Sequence, residues 1–148
     1  MSEQFDLERF VTAQDRGGTY GQALAELQLG HKTSHWMWFI FPQIAGLGHS
    51  TLSRTYAIGS LAEARAYLDH PVLGPRLLEC ALALTTHAGR SAADILGGID
   101  AQKLRSSMTL FLRAAPGETV FKTVLAQYFD GGPDPATDEL LAGADAAD

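Results

Sequence analysis

The chain has 148 residues, which is near the commonest size of a single domain, so one hydrophobic core is expected. Hydrophobic residues make up 46% of the chain and charged residues 19%, a globular composition that argues against extensive disorder. The formal net charge of -6 argues against duplex DNA or long RNA as a partner, because non-specific affinity for nucleic acid needs clustered Lys and Arg. The same net charge is compatible with a local basic pocket for one nucleotide.

The single cysteine and the short length of the apolar runs indicate in which cellular compartment the protein is expected. Cys80 is the sole cysteine, so no intramolecular disulfide can form, and its apolar neighbours are typical of a buried helix rather than a nucleophile. The first residues lack the basic and apolar regions of a secretory signal. No apolar run reaches the roughly 18–20 residues of a membrane helix. We therefore expect a cytoplasmic protein without membrane contact.

Apolar residues at helical spacing predict a mainly α fold, a compact multihelical single domain of about seven to eight helices. A helix over residues 7 to about 14 ends at Gly17-Gly18. Thr19 is placed to cap a second helix that runs to about residue 29, with Gly30 in the position after its end. These two helices should form a helical hairpin.

Residues 35–41 are apolar at almost every position, so periodicity does not decide between a short buried helix and a buried strand. Pro42 limits both alternatives, and we favour the helix. After the connector at Gly46-Leu47-Gly48, Ser50 is placed to cap a helix from residue 51 to about 57.

The later helices follow from capping and proline signals. Ser60 and Glu63 form a capping box for a helix to residue 68, and a broad apolar face that includes Leu82 predicts a central helix from about 74 to 87. Asp100 is placed to cap a helix to about 115, and the last strong helix covers 118–129. The helical domain is expected over residues 1–133, with a weak helix and a frayed acidic tail over 134–148.

Residues 32–43 are the least ordinary stretch, because both tryptophans of the chain, Trp36 and Trp38, lie there among polar side chains. Two interpretations stay open. The aromatic residues either form the centre of the core or make a wall for a planar ring, with Lys32, His35 and Gln43 orienting the ligand.

The glycine-rich turn over residues 46–54 runs into a capped helix start. Backbone N–H groups there, together with the hydroxyls of Ser50 and Ser53, would suit an anion. The spacing of Gly46 and Gly48 matches neither the P-loop nor the dinucleotide fingerprint, so an ordinary loop and cap is the alternative.

Asp100, Lys103 and Ser107 share one stripe of a helix. Such a stripe is either an ion pair on the surface or a place where Lys103 holds an anionic substrate. His35 is the best candidate general base, and His31 with His35 makes no convincing metal pattern. We predict catalytic roles for His35 and Lys103, no metal and no cofactor, and the following ligand-binding residues: Lys32, Trp36, Trp38, Gln43, Gly48, Ser50, Ser53, Tyr56, Asp100 and Ser107.

These motifs resemble a bacterial and fungal family, domain of unknown function 1810, some of whose members are labelled calpastatin. The likeness spans about residues 5–129 and implies a mainly helical domain. Calpastatin is similar to a disordered polar repeat protein, which this apolar pattern does not fit. The size and layout also look like the YbiA-type domain linked to ADP-ribose chemistry, at the level of fold alone. The family motifs are Lys32, residues 34–43, Gly46-Leu47-Gly48, Ser50, Tyr56-Ala57-Ile58, His70-Pro71, Asp100, Lys103 and residues 106–111.

Our leading hypothesis is that the aromatic stretch, the glycine turn and the Lys103 helix converge on one pocket for a small phosphorylated or nucleotide-like ligand, with ADP-ribose or N-glycosidic chemistry as its finer form. The alternative is a non-catalytic module that binds a protein partner or a second copy through its Trp-rich surface. A third reading makes all these residues structural. The sequence does not decide whether the protein is an enzyme, or whether it is a monomer or a small homo-oligomer.

Overall fold

The computed structural model describes residues 5–147, with side chains through residue 143. Over that range the chain forms ten α-helices, and a 3-10 turn at Arg16–Gly18 separates the first two. Seven of the helices have eight or more residues, which confirms the predicted mainly α fold and is close to its helix count. The helices are α1 Glu8–Asp15, α2 Thr19–Leu29, α3 Met37–Ile40, α4 Thr51–Thr55, α5 Leu61–Asp69, α6 Leu73–Leu84, α7 Ala92–Leu96, α8 Gly98–Ala114, α9 Thr119–Phe129 and α10 Pro135–Ala147.

Helix α8 is the central element of the fold. It packs against α5, α7, α9 and α10, and it buries Leu104, Met108 and Phe111 along one face. The sequence pointed instead to the helix now seen as α6. In α6 the buried side chains lie at helical spacing from Leu73 to Leu84, whereas Leu82 falls on the opposite face and is exposed.

Serine caps explain where three of the helices begin. Ser50 and Ser60 each accept a hydrogen bond from the backbone three residues on, as the sequence predicted. The reciprocal bond of the predicted capping box is shifted by one residue, because the Glu63 carboxylate accepts the Gly59 amide. Two predicted caps are wrong, because glycines take those positions. Thr19 is the first residue of α2, after Gly18 in the left-handed region, and Asp100 lies in the first turn of α8, where its charge favours the helix dipole.

The chain between α2 and α5 carries the short helix α3, so the helical alternative for the aromatic stretch is confirmed. Ile44 and Ile58 form one isolated parallel bridge, the sole pairing of strand type in residues 5–147. The Ala45 amide donates to the Ile58 carbonyl over 2.8 Å, and the Ile58 amide donates to the Gln43 carbonyl over 2.9 Å. This bridge closes residues 44–58 into a loop that folds back on α3.

Two elements near the end of the chain extend the packed region. The sequence did not predict α7, which Ser91 and Asp94 start with a reciprocal capping box. Helix α10 packs against α8 and buries Thr137 and Leu141, whereas the sequence placed the end of the compact part at Pro133. The predicted acidic tail at 143–148 overlaps α10 up to Ala147, and Asp148 lies outside the described residues.

Within residues 5–147, every helix is too short or too polar to span a bilayer.

Candidate functional site

Two adjoining pockets lie where the loop that the bridge closes meets α3, and the large one extends to the end of α1 and the start of α2. The small pocket has a volume of about 130 Å³, and the large pocket a volume of about 420 Å³. Both are lined by the same two side chains, Trp38 and Tyr56, which we call the aromatic wall. The small pocket adds chiefly Gln43, Gly48, Ser53 and Arg54, and the large pocket adds chiefly Arg16, His35, Phe39 and Leu52.

Helix α3 decides which tryptophan reaches the pockets. Its residues Met37 and Ile40 are buried, so Trp38 and Phe39 project toward the other side and stay partly exposed. Trp36, just before α3, is fully buried and lines neither pocket. Trp36 therefore belongs to the core, whereas Trp38, two residues later, is partly exposed and lines the pockets.

A buried carboxylate, which the sequence analysis missed, fixes the segment before α3. Glu26 of α2 is 3% exposed and accepts the indole N–H of Trp36 over 2.9 Å. It also accepts hydrogen bonds from Thr33 N, Ser34 N, Ser34 Oγ and Gln22 Nε2. The sequence does indicate that Glu26 is buried, because it lies with Ala23 and Leu27 on the apolar stripe of α2.

Hydrogen bonding keeps the Glu26 carboxylate ionised although it is buried. Burial by itself raises the pKa of Glu26. The hydrogen bonds together outweigh burial and lower the pKa well below its ordinary value of 4.5. A charged acceptor at this place orders residues 33–36, which lead into Trp38.

The structure brings three predicted site residues, Lys32, Asp100 and Lys103, together beside the tryptophans. The ammonium of Lys32 lies 2.9 Å from an Asp100 carboxylate oxygen, and that of Lys103 lies 3.5 Å from the other. Lys32 is also 5.0 Å from the Trp36 ring centre, and Lys103 is 5.2 Å from that of Trp38. Neither lysine lines either pocket, and Lys103 is the one that contacts the aromatic wall, through the ring of Trp38.

Other predicted residues are engaged in local structure. Ser50 accepts from the Ser53 amide and donates to the Ser53 hydroxyl, so its oxygen serves the cap of α4 and lines neither pocket. A Cβ at Gly48 would lie 2.4 Å from Cβ of Ser53, which explains why glycine is needed there. Ser107 is buried in α8, and its hydroxyl has no hydrogen-bond partner among the described residues.

Arg9 is a second residue that the sequence analysis missed. Its guanidinium donates to the carbonyls of Thr55 and Ala57 over 2.8 Å and 2.7 Å, on either side of Tyr56. It also pairs with the buried carboxylate of Glu63 over 3.0 Å. Arg9 therefore holds the backbone from which Tyr56 projects into both pockets.

The charges around the two pockets are one-sided. Arg54 lines the small pocket, and Arg16 and His35 line the large one, whereas no Asp or Glu of the described chain lines either. The guanidinium groups of Arg16 and Arg54 form no ion pair or hydrogen bond with other described residues. In a protein of net charge -6, this surface is locally basic.

Among the residues with described positions, no group of three His, Cys, Asp or Glu side chains is arranged to hold a metal ion. The class of protein defined by this structure is a compact all-α domain with a two-part surface hollow.

Comparison with known proteins identifies the family. The sequence model of the family described as "Protein of unknown function (DUF1810)" matches residues 4–141, and the chain belongs to this family. The fold is similar to the crystal structure of the conserved hypothetical protein Rv1873 from Mycobacterium tuberculosis. The two share 51% sequence identity and a TM-score of 0.90, over 93% of this chain and 97% of that one. No curated protein matches the chain.

Proposed function

We propose that this domain binds a small phosphorylated or nucleotide-like ligand at the aromatic wall of Trp38 and Tyr56. The observation that carries the proposal is the charge of the lining, because Arg16 and Arg54 line the two pockets and no carboxylate of the described residues does. An anionic ligand gains from such a surface, and a planar ring gains from two partly exposed aromatic side chains.

The contacts suggest modest affinity. A ring stacked on an aromatic side chain contributes roughly 1–3 kcal/mol, and a charge-assisted hydrogen bond contributes about 1.5–3 kcal/mol. Both contacts would form on partly exposed side chains, so we expect a dissociation constant of about 0.1–1 mM for a simple nucleotide. That range sets the ligand concentrations for the test.

The finer proposal of ADP-ribose or N-glycosidic chemistry depends on His35. Among the residues that line the large pocket, His35 carries an imidazole, the side chain that most often acts as a general base. Lys103, the other predicted catalytic residue, is paired with Asp100 and covered by Trp38, so we assign it a supporting role. Binding is therefore the first function to test, and catalysis by His35 the second.

Calorimetric titration with AMP and with ADP-ribose tests the binding proposal. We expect saturable binding by the wild type and at least about tenfold weaker binding by Trp38→Leu, which removes one face of both pockets. Leu82→Ala is the matched control, because Leu82 is exposed and lines neither pocket. Absence of heat at millimolar ligand, or equal binding by Trp38→Leu, would contradict the proposal.

The alternative function, docking of a protein partner or a second copy, needs a contiguous apolar surface. The large exposed apolar side chains of the described residues are Leu29, Leu52, Leu82 and Ile99, which lie on four different helices. We prefer the ligand site because the partly exposed aromatic residues line pockets that also carry arginine side chains. Sizing the protein over a dilution series checks the choice, and association would favour the alternative.

A further inference from the structure

We infer that the ligand is a nucleoside monophosphate that occupies both pockets at once, with its base in the large pocket and its phosphate in the small one. The inference rests on the proposed function and names the class of ligand for the same site. Its starting point is that two pockets of different size and chemistry share one wall, Trp38 and Tyr56.

The sizes of the pockets assign the parts of the ligand. Sites for whole small molecules usually have volumes of roughly 300–1,000 Å³. The large pocket, at about 420 Å³, falls in that range, whereas the small pocket, at about 130 Å³, holds only a fragment. A ligand that fills both therefore has one bulky part and one compact part.

The linings give those parts their chemistry. Three aromatic rings, from Trp38, Phe39 and Tyr56, line the large pocket together with the exposed side chain of Leu52, a surface suited to a flat base. In the small pocket, Arg54 and Ser53 offer the donors that phosphate oxygens accept. The compact part is therefore anionic and the bulky part is a ring.

The charge of the small pocket limits the number of phosphates. Arg54 is the only cationic side chain among the described residues that line it, and Gln43 and Ser53 are neutral donors. A second phosphate would add negative charge without a further cation, and the pocket volume leaves little room for it. One phosphate fits both limits. At the other end, Arg16 and His35 can donate to acceptors on the edge of the base.

The test compares the affinities of AMP, adenosine, ADP and inorganic phosphate for the wild type, Arg54→Gln and Arg16→Gln. We expect the wild type to bind AMP about tenfold more tightly than adenosine and at least as tightly as ADP. Arg54→Gln should bind AMP and adenosine equally, whereas Arg16→Gln should weaken both by a similar factor. Arg90→Gln is the control, because Arg90 is an exposed arginine that lines neither pocket, and it should keep the wild-type preference.

The outcomes separate this inference from the proposed function. If AMP binds without preference over adenosine, or Arg54→Gln keeps the preference, the two-pocket arrangement is overturned while the proposed function stands. ADP binding more than about threefold tighter than AMP overturns the limit of one phosphate. Inorganic phosphate that binds as tightly as AMP overturns the role of the base. If no ring-bearing phosphate binds at all, the proposed function itself fails.

Discussion

Two side chains that lie outside the recognisable motifs hold the site in place. Glu26 orders residues 33–36, which lead into Trp38, and Arg9 holds the backbone on both sides of Tyr56. Each makes several hydrogen bonds from a single charged group. The residues of the aromatic wall therefore depend on partners from α1 and α2.

Glu26→Gln should lower the free energy of unfolding by about 2–4 kcal/mol, because an amide cannot accept all the hydrogen bonds that the buried carboxylate accepts. The pH dependence has a defined sign. Since folding lowers the pKa of Glu26 below 4.5, its contribution is present above that pH and is lost as the pH falls through the folded-state pKa.

Urea unfolding measured between pH 7 and pH 3 checks both parts. The wild type should lose stability more steeply below about pH 5 than Glu26→Gln, which has no proton to bind at this position. Parallel curves for the two proteins would show that Glu26 does not have the lowered pKa.

Arg9→Lys should lower the free energy of unfolding by about 1–2 kcal/mol, because a single ammonium cannot replace the fork that reaches Thr55, Ala57 and Glu63. Arg113→Lys is the matched control. Arg113 makes a two-bond pair with Asp138, but the pair is exposed, so its loss should cost less than about 1 kcal/mol. Equal losses in chemical denaturation would show that Arg9 does not anchor the Tyr56 segment.

Individual residues were partly predictable. The family motif contains Lys32, Asp100 and Lys103, and the structure brings these three together. The sequence did not separate Trp36 from Trp38, because in a continuous apolar run the buried face depends on what packs against it. The role of Arg9 was not predicted because its partner Glu63 lies 54 residues away in the sequence. The role of Glu26 was not predicted because several of its partners are backbone groups, which leave no sequence pattern.

At the scale of elements, the close packing of α5 against α6 depends on a glycine. A Cβ at Gly74, the second residue of α6, would lie 2.1 Å from the carbonyl oxygen of Leu68 in α5. A backbone atom cannot move aside as the end of a flexible side chain can. The two helices could accommodate the extra atom only by moving apart.

Gly74→Ala should therefore lower the free energy of unfolding by about 1–3 kcal/mol, the usual cost of overpacking. Gly21→Ala is the matched control within α2, because a Cβ at Gly21 has no neighbour within 4 Å. That change should raise stability by roughly 0.5–1 kcal/mol through helix propensity. Thermal unfolding of both variants measures the difference, and a shift of the same sign in the two would contradict the packing argument.

Elements were predictable where the signal was local. The serine caps of α4 and α5, and the apolar stripes of the longer helices, give their starts and faces from the sequence alone. Helix α7 has only five residues, which is too few for an apolar period to stand out, although its Ser91 and Asp94 spacing was visible. Glycine caps are found where Thr19 and Asp100 were predicted to cap, because Gly18 and Gly97 both have a positive φ, which favours glycine over residues with a side chain.

At the scale of the whole molecule, the all-α fold follows from composition and helical spacing, but the site does not. The pockets form because the bridge between Ile44 and Ile58 folds one loop over α3, and because α1 supplies Arg9 beneath Tyr56. No local sequence pattern predicts that this loop, α3 and α1 come together. The excess of cations around the pockets is likewise invisible in a net charge of -6.

The most direct test of the central claim uses the two indole N–H signals in a proton–nitrogen correlation spectrum, assigned with Trp38→Phe. Trp36 is buried and donates to Glu26, whereas Trp38 lines both pockets, so one protein carries both the probe and its control. On titration with AMP, we expect the Trp38 signal to shift to saturation while the Trp36 signal stays in place. A Trp38 signal that does not move at millimolar AMP would contradict the claim.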